Sequence, residues 1–238
     1  MLSMKTTPNH TGVKISGDYF DLDELNQAIY KVIGKEGEYH GYEGSRLRIL
    51  GISYEIRHAA QGDRNVDFVF NGLHEHTKKQ HGFIAPDKNI YFSVEVLWPE
   101  LLYVAYALKD FTRLYQDKQG DLLADVHAPV IAKFQALVLD CLHGHVPEEE
   151  YAAILEAFRK SPPVNDYAIQ YVDLLNLKYI DMTRQQREKS LSTIAMKLAL
   201  QDPEYQAFRK QVIGAAAPGK QPIHEIGIQA EYPEQVEW

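Results

Sequence analysis

The sequence predicts an α+β protein in which a small antiparallel sheet covered by helices leads into a helical C-terminal half. Three observations predict it. Segments with the two-residue apolar period of a strand lie between residues 13 and 96, interleaved with helical patterns. From residue 126 to 213 every apolar pattern has the helical period instead. Between the two regions, Asp117 to Asp125 is charged and holds Gly120, as a boundary does. The expected organisation is a mixed half over residues 1–119, an all-helical half over 120–215 packed on it, and an extended tail over 216–238.

Val13 to Ser16 reads as a short strand. After Gly17 a helix begins, with Asp21 placed to cap its free amides and Glu24, three residues on, completing a capping box. Leu22, Leu25, Ala28, Ile29, Val32 and Ile33 give that helix one apolar face, and Gly34 ends it. Two periods compete between Tyr42 and Ala60. Ile52, Tyr54 and Ile56 alternate as in a strand, but Leu47, Leu50, Tyr54 and His58 recur at helical spacing, and helix is the reading adopted.

Val66, Phe68 and Phe70 alternate as a strand, Asn71 and Gly72 turn the chain, and Ile90, Phe92, Val94 and Val96 form one face of the next strand. The long connection between these strands should carry a short helix or a functional loop. Trp98 and Pro99 open a helix that is apolar nearly all round, as a central buried helix is. Further helices are expected over Val126 to Leu142, from Pro147 to Lys160, and from Asn165 to Ile180. Thr183 with Gln186 caps another, and Asp202 with Pro203 starts the last.

Composition narrows the function classes. A formal charge of −8 repels phosphate backbones, so nucleic acid is not an expected partner. Residues 183–213 are locally basic, with Arg184, Arg187 and Lys189 among them, and read as a solvated helix face or an anion contact. No run approaches the roughly 18 apolar residues of a membrane span. One cysteine, Cys141, and an N-terminal segment without an apolar core predict the reducing cytoplasm.

The motifs of phosphate loops, nucleophile elbows, zinc helices and paired Cys-x-x-Cys sites are absent. The densest polar cluster is His58, Asp63, Arg64, Asp67, His74, Glu75, His76 and His81. In an extended segment His74 and His76 would point to one side, and with His81 or Asp67 they would make an open divalent-metal site. The competing reading is a set of solvated loop histidines, and no cofactor is expected on that reading. Cys141, His143 and His145 also have ligand spacing, but Cys141 falls on an apolar stripe and Gly144 reads as a helix end. Asp18, Asp21, Asp23 and Glu24 crowd one helix start and read as caps.

The stretches ISGDYFDLDELNQAIY (Ile15 to Tyr30), GDRNVDFVFNGL (Gly62 to Leu73) and NIYFSVEVLWPELLYVAYALKDFTRLY (Asn89 to Tyr115) resemble a bacterial family classed as a domain of unknown function. The resemblance covers roughly the first 116 residues, implies a bacterial cytoplasmic origin and carries over no catalytic residue. The leading expectation is therefore a non-catalytic binding or interaction protein of the bacterial cytoplasm. The alternative is a metal-dependent hydrolase using the loop histidines. In the tail, Ile226, Ile228, Ala230 and Tyr232 alternate between prolines, which predicts an ordered extended arm over residues 223–232 that helps to hold a homodimer or a protein partner.

Overall fold

The computed structural model describes residues 1–119, 123–219, 221–227 and 231–238. Among the described residues, strands β1 (Ser3–Thr6), β2 (Gly12–Gly17), β3 (Asn65–Phe70) and β4 (Lys88–Leu97) form one antiparallel sheet in the order β1-β2-β4-β3. The fold is the α+β arrangement the sequence predicts, with one strand more. β1 escapes periodicity because only Met4 of its four residues is apolar.

Helix α1 (Tyr19–Ile33) is capped by Asp18, three residues before the predicted cap. The Asp21 amide donates to the Asp18 carboxylate at 2.9 Å, and the Asp18 amide donates to the Asp21 carboxylate at 3.1 Å, so Asp21 closes the box rather than opening it. The physical reason is the strand before it. β2 runs to Gly17, and Asp18 is the first residue in extended geometry able to accept a helical amide. α2 (Glu43–Ala60) resolves the competing periods as helix, with Ile49, Ile52 and Ile56 on its buried side. The long connection before β4 carries the short helix α3 (Glu75–His81).

α4 (Trp98–Gln119) follows β4 directly and lies at the centre of the molecule. Leu101, Val104, Leu108 and Phe111 are fully buried, and α1, α2, α5 (His127–His143), α7 (Gln170–Ile180) and α8 (Arg184–Leu200) pack around it. α6 (Glu148–Lys160) lies on α8, and α9 (Pro203–Ala216) on α7. The buried apolar residues form one continuous cluster from Leu2 to Val212. The predicted Thr183–Gln186 box and the Asp202 cap are both formed. α7 begins at Gln170 rather than Asn165, because Asp166 sits at φ +48° with its amide bonded to the Gly41 carbonyl at 2.6 Å.

Among the described residues no helix is long and apolar enough to cross a membrane. The tail lies on its own chain. Ile223–Glu225 form a 3-10 turn, and the Gln170 amide donates at 2.7 Å to the carbonyls of both Ile223 and Ile226. Tyr232 donates to Asp173 at 2.9 Å, and the Asn9 amide donates to the Trp238 carbonyl at 3.3 Å. The alternation predicted through Ile228 and Ala230 lies outside the described residues.

Candidate interaction surface

Three polar groupings in the fold have the residue types of a catalytic site, and structure accounts for the first two. Lys109 and Ser161 are hydrogen-bonded, but the ammonium also donates to the carbonyls of Phe158 at 3.2 Å and Ser161 at 3.3 Å, closing the end of α6. An ammonium holding helix carbonyls is a C-cap. Arg48 reaches from α2 to Glu100 on α4 and to Asp173 on α7, with Asn176 and Tyr232 completing the network. This network ties three helices and the tail together. A cleft of about 430 Å³ beneath the tail is lined by His40, Asp166, Arg209 and His224, and Arg209 donates to the Asp166 carbonyl at 3.1 Å.

The Cys141 group separates in the fold. Cys141 is 3.7 Å from the Thr6 hydroxyl, His143 is 2.6 Å from Glu148 and stacks on Tyr151, and His145 meets His10 edge to face at 4.9 Å. Burial pushes the Cys141 thiol above its ordinary value, as in an inert core thiol. Two of the three cations named in the basic helix are paired within the chain. Arg184 pairs with Glu188 at 3.0 Å, and Arg187, buried, donates to the carbonyls of Tyr179, Ile180 and Asn9 and to the Thr11 hydroxyl.

The predicted polar cluster falls on one projecting arm, β3–α3–β4 with the end of α2. His58, in the last turn of α2, is 3.0 Å from Asp63 and lies tilted against the Tyr54 ring at 4.2 Å. Arg64 donates to Glu55 at 2.7 Å. Asp67 lies on the outer face of the sheet, where hydrogen bonds from Lys14 at 2.7 Å and Ser93 at 3.0 Å hold its carboxyl below the ordinary range against a smaller opposing effect of burial. His74 is the residue before α3 and lies against Phe70. Glu75 pairs with Lys78, and His81 stacks on Phe83.

His76 and His81 are in a helix rather than in an extended segment, so the alternation that would have aimed His74 and His76 together does not operate. Among the described residues no group of three or more His, Cys, Asp or Glu side chains is arranged to hold a metal ion.

What distinguishes the arm is its apolar face. Residues directly opposite in adjacent strands share a face. The register Val13↔Val96, Ile15↔Val94, Val66↔Phe92 and Phe68↔Ile90 therefore puts Val66, Phe68, Phe70, Ile90 and Phe92 on the side that holds the core. Val13 and Ile15 are fully buried there under the helices, whereas Phe68 is 67 % exposed and Ile90 52 % exposed. The cause is length. α2 covers the sheet along β4 and stops at Ala60, and the hairpin continues past it. Gly62, at φ +85°, makes the turn that sends the chain from the helix into β3, a conformation that suits glycine.

The loop after α3 adds exposed Phe83 and Ile84 to the same arm. The outer face is polar, with Asn65 donating to Glu95 at 2.6 Å beside the Lys14–Asp67 pair. The sequence signal for this surface was present in the Val66-Phe68-Phe70 alternation and in the Phe83-Ile84 pair before Pro86. The extent of the helical cover was not.

Searches of curated proteins and of solved structures found no match. A family described as a domain of unknown function (DUF6904) matches residues 2–238, so the likeness extends through the helical half that the sequence resemblance had left outside it. The chain belongs to this family.

Proposed function

We propose that this chain is a non-catalytic binding or interaction protein of the bacterial cytoplasm, and that its contact surface is the inner face of the β3–β4 arm. The observation that carries the reading is that the sheet outgrows its helical layer and keeps its apolar alternation beyond it. Alternating apolar residues in a strand are retained where a second layer covers them. Phe68 and Phe70, each about half exposed or more, forfeit roughly 2–3 kcal/mol of transfer free energy between them when left in water. A partner that covers them regains it. The single, largely buried Cys141 suits a reducing compartment.

The experiment is photo-crosslinking in cells with benzoylphenylalanine at position 68. Position 47, a comparably exposed apolar residue on α2, serves as the control. A discrete adduct at 68 and none at 47 is the expected result. Absence of any adduct at 68 overturns the reading, as does a turnover in hydrolase, phosphatase or transferase screens that one polar substitution abolishes.

A further inference from the structure

Resting on that reading, we infer that the occupant of the arm is a second copy of this chain, joined through β3 to make one continuous sheet across a twofold axis. β3 is an edge of the four-stranded sheet. An edge strand leaves a row of backbone donors and acceptors open for antiparallel pairing. Natural edges are blunted by charge, proline or a bulge, and Asn65–Phe70 carries Asp67 alone, turned to the outer face and held by Lys14.

Area and charge favour a second copy. Val66, Phe68, Phe70, Phe83, Ile84 and Ile90 are all exposed. At about 150–250 Å² for a whole aromatic side chain and somewhat less for a branched one, they expose on the order of 700 Å². Each partner of a stable interface contributes roughly 800 Å². Over residues 61–88, Arg64, Lys78, Lys79 and Lys88 balance Asp63, Asp67, Glu75 and Asp87, in a chain of formal charge −8. Two copies repel each other through their net charge, and the arm is a neutral surface on which they can meet.

The apolar pattern also fixes the register. Centring the axis on Phe68 sets Phe68 against its own equivalent and Val66 against Phe70, so all three inner residues of each strand find apolar partners. Asp67 then faces Val69. A shift that centres the axis on Asp67 sets two carboxylates opposite each other and is disfavoured.

Sedimentation equilibrium of the full chain and of Phe68→Glu tests the inference. The expected masses are twice 27.2 kDa for the natural chain and 27.2 kDa for the variant. Because Phe68 is exposed, the variant keeps its circular dichroism and its cooperative melt. Disulfide trapping tests the register in a Cys141→Ala background. Opposed antiparallel residues have Cα atoms about 4.5–5.5 Å apart, within disulfide reach, so Phe68→Cys crosslinks two chains under diamide. Asp67→Cys, diagonal to its equivalent at roughly 7–8 Å, does not.

A folded Phe68→Glu chain that remains dimeric, or equal trapping at both positions, overturns the inference. A natural chain that is monomeric throughout the micromolar range also overturns it. If position 68 nevertheless captures a different protein in cells, the interaction reading survives and only the second copy falls.

Discussion

Replacing Arg48 with methionine probes what holds the helical layer together. The guanidinium donates to Glu100 through Nε at 2.8 Å, to Asp173 at 2.8 Å and to the Ile169 carbonyl at 3.1 Å. Burial opposes its charge, but Glu100 and Asp173 outweigh burial and hold the group above its ordinary value. The side chains of Arg48 and Glu100 are 11 % and 15 % exposed. Exposed pairs contribute less than about 1 kcal/mol, whereas removing one member of a buried pair costs about 3–5 kcal/mol because the other charge is stranded.

At this burial, and with Glu100 still accepting from Asn176 at 2.8 Å, Arg48→Met should cost about 3 kcal/mol. For a chain of this size that lowers Tm by roughly 6–12 °C. Removing the stranded partner as well, in Arg48→Met with Glu100→Met, should restore at least half of the loss. Urea unfolding followed by circular dichroism measures both. A single variant that loses less than about 1 kcal/mol, or a double variant as unstable as the two singles summed, refutes the reasoning.

Acid should weaken the junction between the β1–β2 loop and α8. Burial, the largest effect on each, holds both His10 and His145 below 6.5 against the pull of Glu188. The unfolded chain therefore binds more protons than the folded one. The contribution of these rings is present above pH 6.5 and is lost as pH falls through their depressed folded values. Tm should fall over that range in the natural chain and less in His10→Asn, whose side chain tolerates the φ of +56°; equal slopes would refute this. Truncation after Gly219 removes the partners of Gln170 and Asn176, and at about 1 kcal/mol per hydrogen bond should cost roughly 2–3 kcal/mol without changing the number of chains in the assembly. An unchanged melt would show that the tail holds nothing. Elemental analysis of untagged protein should find no stoichiometric zinc, manganese or iron, and stoichiometric metal lost in His74→Ala would establish the histidine site.

Much of the fold was legible because local signals and packing agree. Thr183 and Gln186 form the cap their spacing announces, and Trp98-Pro99 opens the central helix. The Asp21 cap was displaced because four acidic residues crowd Asp18 to Glu24, and which one caps depends on where β2 ends. β1 is set by its pairing with β2, which a four-residue stretch with one apolar side chain does not announce. The candidate surface was half legible. Its residues 58–81 stood out for their histidines, whereas the structure draws attention to the phenylalanines between them. Alternation tells which side chains share a face, but whether a helix reaches far enough to cover that face depends on the length of α2 relative to the hairpin, a tertiary quantity.

Amide hydrogen exchange over residues 65–70, compared between the natural chain and Phe68→Glu at equal concentration, tests the covered-edge account most directly. Strand pairing and a covering layer slow exchange, and an open edge does not. Alternate β3 amides bond to β4 within the chain and stay slow in both, so the predicted difference lies in the β3 amides that point away from β4, protected in the natural chain and fast in the variant, with α4 equally protected in both. Equal, fast exchange of those outward amides in the two chains would contradict it.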